Sequence, residues 1–254
     1  SGLAYFTLEK NEEILGKGIE NIAKEKAGII KKNKPFILGQ SHMPNSLKKE
    51  IKIKNSQVFS YEKDFKIMKS KKSIQYIDHT YQLKISNTEI LDPSSVAVSI
   101  KSFDCLEIDI TEKEIQKGLD LFSLKGRCEV ISKDPFILID VCHNLSALEK
   151  LKKRILDGME GKKTAAIYAS SKDSYDLISP LKEMVDCWYF PRCKENRLVN
   201  PEKFISFVDD KKIGSYGKSL ETTYENIKSK SEFDAIIVYG SFYLVGEFLE
   251  SNFV

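Results

Sequence analysis

The chain has 254 residues, 41% hydrophobic and 30% charged, with 40 basic against 37 acidic side chains and a net charge of +3. That length accommodates one or two domains with a sizeable core, and the near balance of charge gives no whole-chain argument for a nucleic-acid or membrane-surface partner. Five cysteines without a C-x-x-C pair, and three histidines without zinc-ligand spacing, argue against a disulfide scaffold or structural zinc and fit a reducing cytoplasm. No apolar run reaches membrane-span length and no signal-peptide pattern opens the chain. The opening Ser1-Gly2, without methionine, is what a processed, tagged or fragmentary polypeptide would show.

In chain order, Ala4 to Leu8 reads as a short strand, and a charged turn leads to Ile14-Leu15-Gly16. A helix is predicted from about Gly18 to Lys31, with Ile19, Ile22, Ala23 and Ile30 on one stripe at helical spacing. Lys26 falls on that stripe. Either its stem packs there while the ammonium reaches water, or the amine is paired or chemically changed. Strands are predicted at Pro35 to Gly39 and Gln57 to Tyr61, with a helix over Asn45 to Lys54 between them. Ser73 to Ile77 and Tyr81 to Ile85 alternate apolar and polar residues around Asp78-His79-Thr80, the pattern of an antiparallel hairpin. Helices are expected over Val96 to Phe103, started by Pro93, and over Thr111 to Phe122, where Thr111 and Glu114 form a capping-box pattern.

Beyond Lys125-Gly126-Arg127, strand and helix signals alternate. Strands are predicted at Phe136 to Asp140, Ala165 to Tyr168, Cys187 to Phe190, Ile213 to Tyr216 and Ala235 to Tyr239. Helices are predicted over Leu145 to Met159, Tyr175 to Val185, Pro201 to Val208, Ser219 to Ser229 and Phe242 to Leu249. The fold expected is α/β: a Rossmann-like, mostly parallel sheet flanked by helices over 131–254, a linker at 125–130, and a separate α/β domain before it over 1–124. Within the second half, Phe136-Ile137-Leu138-Ile139 ends abruptly in Asp140, followed by Val141-Cys142-His143-Asn144 and a helical pattern. Ligands of open α/β sheets collect at such strand ends. The competing reading is purely structural, a strand end with Asn144 as helix N-cap.

Four stretches, in order, resemble the folylpolyglutamate synthase and dihydrofolate synthase family of Mur-ligase-like, ATP-dependent amide ligases. They are Ile19 to Lys31 with its Glu25-Lys26-Ala27-Gly28-Ile29 core, Gly126-Arg127-Cys128-Glu129, Asp140-Val141-Cys142-His143-Asn144, and Tyr239 to Glu247 with Gly240-Ser241-Phe242-Tyr243-Leu244-Val245-Gly246. The resemblance implies that ATP phosphorylates a carboxylate of folate or dihydropteroate and that L-glutamate attacks the acyl phosphate. It implies Mg2+, a carbamylated Lys26 that helps hold it, Arg127 at nucleotide phosphate, Asp140 at the ribose, His143 near the phosphates and the glutamate, and Ser241 lining the glutamate pocket. Ser95 stands where the family has an adenine-contacting asparagine. The first half is then the remainder of a P-loop ATPase-type domain.

Three departures accompany the match, the first being Ser95 at that asparagine position. No G-x-x-x-x-G-K-[ST] or G-T-x-G-K-G phosphate cradle occurs in the 254 residues. Lys10 and Asn11 stand where the family has Asp-His. The sequence therefore leaves open a piece of a ligase that is inactive alone and a degenerate homologue acting as a binding protein. It also leaves the oligomeric state open.

Overall fold

The apolar runs and amphipathic stretches are arranged, in a computed structural model, into two units, Ser1–Phe122 and Ser123–Val254. The structure describes residues 19–40, 43–70, 73–86, 93–173, 175–251 and 253. The strand expected at Ala4 to Leu8, the Ile14-Leu15-Gly16 segment, and Lys10 and Asn11 lie outside the described residues. Among the described residues no helix is long and apolar enough to cross a membrane.

Unit 1 holds helix α1 (Ile19–Ala27), strand β1 (Phe36–Leu38), helix α2 (Asn45–Lys54) and strand β2 (Val58–Ser60), with β1 and β2 paired in parallel. Helix α1 buries Ile22, Ala23 and Ala27. It stops at Gly28, earlier than the periodicity predicts, where Gly28 N–H bonds Glu25 O at 3.2 Å and the ladder tightens. The Glu20 carboxylate accepts from the N–H groups of Asn45 and Ser46 at 2.9 and 2.8 Å, satisfying donors at the start of α2 and tying the two helices together.

A second layer follows. Strands β3 (Lys66–Lys69), β4 (Ile74–Ile77) and β5 (Gln82–Ile85) form an antiparallel sheet, and helices α3 (Pro93–Cys105) and α4 (Glu112–Leu121) follow. The predicted hairpin is β4–β5, in register Ile74↔Ile85. Asp78 shapes its turn by accepting from Thr80 N–H and Tyr81 N–H, both at 2.7 Å. Thr111 and Glu114 make the full capping box of α4. Lys101 on α3 is 1% exposed, and its ammonium meets Asp104 at 2.7 Å and Asp78 at 3.2 Å. Tyr76 hydroxyl donates to the same Asp78 oxygen at 2.8 Å. A buried ionic cluster thus joins the hairpin to α3.

Unit 2 is built on a six-stranded sheet in the order β10-β9-β8-β11-β7-β6. Its strands are β6 (Glu129–Lys133), β7 (Phe136–Asp140), β8 (Thr164–Tyr168), β9 (Cys187–Arg192), β10 (Ile213–Ser219) and β11 (Ala235–Tyr239), all parallel except β6. Every residue of β8 and β11 is buried, as continuous apolar runs require when both faces are covered. Helix α5 (Leu145–Met159) packs Leu148, Leu151 and Ile155 on one face of the sheet. Helices α7 (Leu220–Lys230) and α8 (Phe242–Glu250) pack Tyr224, Ile227, Leu244 and Phe248 on the other.

Three expectations change. The segment 175–185 is not a helix but two 3-10 turns, Tyr175–Leu177 and Ser179–Leu181. Pro180 explains this, because it lacks an N–H and disfavours helical backbone at Ser179. Helix α6 spans only Glu202–Ile205 instead of reaching Val208. The segment expected as a linker is strand from Glu129 onward, and β6 pairs antiparallel with β7 across a bulge between Val130 and Ser132.

Candidate functional site

Strand β7 is followed by α5 on one face of the sheet, and its neighbour β11 by α8 on the other. The carboxyl ends of β7 and β11, where Asp140 registers with Tyr239, therefore flank the crevice in which open α/β sheets take ligands. Two helix N-termini open at the same edge. Asn144 caps α5 by accepting from Ala147 N–H at 2.8 Å, and Ser241 caps α8 by accepting from Leu244 N–H at 3.1 Å. The structural reading of Asn144 is thus realised. Ser241 is 4% exposed and also serves as a cap.

The turn 124–128 is fastened beneath this edge. Gly126 O accepts from Val141 N–H at 2.8 Å, and Gly126 N–H donates to Glu129 Oε2 at 2.7 Å. Gly126 has φ +71°, and a Cβ there would stand 3.0 Å from Val245 and 3.1 Å from Val141. A side chain there would strain the backbone and press on both valines, so glycine suits the position. The turn places Cys128 N–H 2.7 Å from Asp140 Oδ2. Asp140 is 3% exposed, and its Oδ1 is buried. Burial pushes the Asp140 carboxyl above its usual range, opposed by the Cys128 N–H and the Arg127 charge. The neighbouring Cys142 thiol is pushed up to about 12 by burial and by the Asp140 charge, so it stays protonated.

A carboxyl whose folded pKa is raised is favoured in its protonated form, so its ionisation lowers stability as pH climbs from 3.8 through the folded value. At neutral pH Asp140 is then a charge retained at a cost, which is common at ligand sites. An Asp140→Asn variant is expected to keep the Cys128 hydrogen bond and to unfold in urea at pH 7 at a midpoint equal to or above that of the parent. A clear fall in midpoint would contradict this.

Arg127 lies with its guanidinium 5.4 Å from the centre of the Phe242 ring, and the His143 imidazole stands 5.7 Å from the same ring. His143 Nδ1 is 3.2 Å from Val141 O. The structure thus gathers Arg127, Asp140, His143 and Ser241 at one edge of unit 2. Lys26 and Ser95 belong to unit 1. Lys26 is half-buried in the last turn of α1, and Ser95 lies in the first turn of α3, where its carbonyl accepts from Ser99 hydroxyl at 2.9 Å. Among the described residues no group of three or more His, Cys, Asp or Glu side chains could hold a metal ion. Sequence reasoning passed over Phe242 because an aromatic at a helix start reads as core, yet it is 57% exposed. It also passed over Arg197, which donates to Tyr243 hydroxyl at 2.7 Å beside it.

No protein-family model matches the chain. The dihydrofolate synthase/folylpolyglutamate synthase of Buchnera aphidicola is 32% identical over 241 residues, covering 93% of this chain and 58% of that protein. Escherichia coli FolC in complex with DHPP and ADP has the same fold, with a TM-score of 0.81 at 22% identity over 98% of this chain and 60% of that one. A bifunctional folylpolyglutamate synthase/dihydrofolate synthase with Mn, AMPPNP and L-glutamate bound matches at a TM-score of 0.80 and 23% identity, over 100% of this chain and 62% of that one. The chain spans a little over half the length of the curated relatives it matches. Over 93% of its length, this chain is similar to a dihydrofolate synthase/folylpolyglutamate synthase.

Proposed function

We propose that these residues form the nucleotide-facing part of an ATP-dependent ligase that joins L-glutamate to dihydropteroate or a folate. In that reaction a substrate carboxylate oxygen takes the γ-phosphoryl group and ADP leaves. The glutamate amine then attacks the acyl carbon, losing a proton and expelling phosphate. The observation that carries the reading is the buried Asp140 carboxylate, fastened by the Cys128 N–H beside Arg127 at the carboxyl edge of the sheet, where the resemblance puts the ribose. Arg127 supplies fixed positive charge for phosphate oxygens, and His143 a polar group close by. Ser241 acts by capping α8, which keeps that helix N-terminus aimed at the same edge.

A divalent cation, Mg2+ by resemblance, would neutralise charge on the transferred phosphoryl group. The residue of this chain that would help hold it is Lys26, as its carbamate. Its half-buried position is compatible with carbon dioxide reaching the amine. Ser95, in the first turn of α3, is assigned to the adenine side on the resemblance alone.

The 254 residues contain no phosphate-cradling P-loop sequence, and such a loop supplies most of the grip on the β- and γ-phosphates. The polypeptide alone is therefore expected to bind nucleotide but to release no glutamate-dependent phosphate from ATP, with either dihydropteroate or a folate as acceptor. Measurable glutamate-dependent release would overturn this. A second reading, a non-catalytic binding protein, is favoured by Lys10 and Asn11 at the family's Asp-His positions and by Ser95 at its adenine-contacting position. The coding sequence upstream separates the two: an in-frame P-loop supports the ligase, and a start codon at the boundary supports the binding protein.

A further inference from the structure

We infer that Phe242 is a positioning residue, seating the Arg127 guanidinium and the His143 imidazole against one ring and so presetting the cationic side of the nucleotide site. The inference rests on the proposed roles of Arg127 and His143. Three segments meet at this ring: the turn 124–128, the loop after β7, and the first residue of α8. Phe242 is the fixed member. Gly240 and the Ser241 cap set the start of α8, and Leu244, Val245 and Phe248 anchor the helix in the core. With 57% of its own surface exposed, Phe242 adds less to that core than to whatever rests on it.

Arg127 is the member that rests on the ring. Its backbone N–H donates to Leu124 O at 3.2 Å, but among the described residues its guanidinium N–H groups make no hydrogen bond to protein, and the Phe242 ring lies 5.4 Å from the guanidinium. The electron-rich face of an aromatic ring attracts a cation while leaving its in-plane N–H groups free for an anion. An arginine already held this way need not be ordered when the anion arrives, so its contribution to binding is larger.

The test uses the 254-residue chain with ADP and Mg2+ as probe, together with the imidazole proton resonances of His143. Phe242→Leu is expected to weaken ADP binding about fivefold, while Phe242→Tyr stays within about twofold. In an Arg127→Ala background, Phe242→Leu is expected to add little, because the two changes remove one coupled interaction. The ring-current displacement of the His143 protons should collapse in Phe242→Leu and persist in Phe242→Tyr, with the remaining amide spectrum of unit 2 unchanged. Parent-like ADP binding by Phe242→Leu, additive effects, or unmoved His143 resonances would overturn the positioning role, and Arg127→Ala would still report on the site itself. If Arg127→Ala binds ADP as the parent does, the nucleotide reading fails and takes this inference with it.

Discussion

Replacing Lys101 with methionine is expected to cost unit 1 about 3–5 kcal/mol, because it removes one partner of a buried ion pair and leaves the other charged. Methionine keeps an unbranched apolar stem of similar reach, so the loss isolates the charge. The Asp78 side chain is fully buried, and it also receives the Tyr76 hydroxyl and the two N–H groups of its own turn. Lys101 further packs over the Phe59 ring at 5.3 Å. Burial alone would raise the Asp78 carboxyl, yet the Tyr81 N–H, the Tyr76 hydroxyl, the Thr80 N–H and the Lys101 charge together hold it below its ordinary 3.8. A group depressed in the folded state contributes stability that is fully present above its unfolded pKa and is lost as pH falls through the folded value. Amide exchange in α3 and in the β4–β5 hairpin should therefore accelerate in Lys101→Met at pH 7, and in the parent chain once the pH falls below 3.8. Unchanged protection in both cases would mean that the cluster does not hold the hairpin to the helix.

A Gly240→Ala variant is expected to lose about 2–5 kcal/mol from unit 2, the sum of backbone strain and overpacking. Gly240 has φ +119°, and a Cβ there would lie 2.7 Å from Ala169 O and 2.7 Å from Tyr168 Cε2. Neither neighbour can yield easily. One is backbone, and the Tyr168 ring is wedged between Tyr239 at 4.9 Å and Phe204 at 5.1 Å. Trp188, the sole tryptophan, is buried in the same core and reports the transition by fluorescence. A parent-like urea midpoint would show that the β11–α8 corner is looser than its contacts imply. The same change would displace the Ser241 cap and Phe242, so weaker ADP binding should accompany it.

How far these features could be read from sequence depends on where their physics lies. The strands of unit 2 are legible because burial on both faces demands unbroken apolar runs, as in Ala235 to Tyr239. The Thr111 capping box and the Asp78 turn are local patterns of a few residues and are equally legible. Strand β6 was not, since its partners and its bulge are set by β7 and not by its own mixed sequence. The helix expected over 175–185 failed because apolar spacing outweighed Pro180, whose missing N–H decides the matter locally. At the site, Asp140 and His143 stand out as polar residues ending an apolar run. Phe242 does not, because its importance comes from Arg127 and His143, which lie far from it in the chain. The Lys101–Asp78 pair is likewise invisible in sequence, where each reads as an ordinary surface charge.

The central claim is that the β7–β11 edge of unit 2 holds a nucleotide through Asp140 and Arg127, and calorimetric titration of the chain with ADP and Mg2+ tests it most directly. Binding is predicted for the parent chain. Asp140→Ala and Arg127→Ala should each weaken it about tenfold or more, as expected when a charged hydrogen-bonding partner is removed, while Lys26→Ala should leave ADP affinity nearly unchanged. No binding by the parent chain, or binding indifferent to both Asp140 and Arg127, would contradict the account.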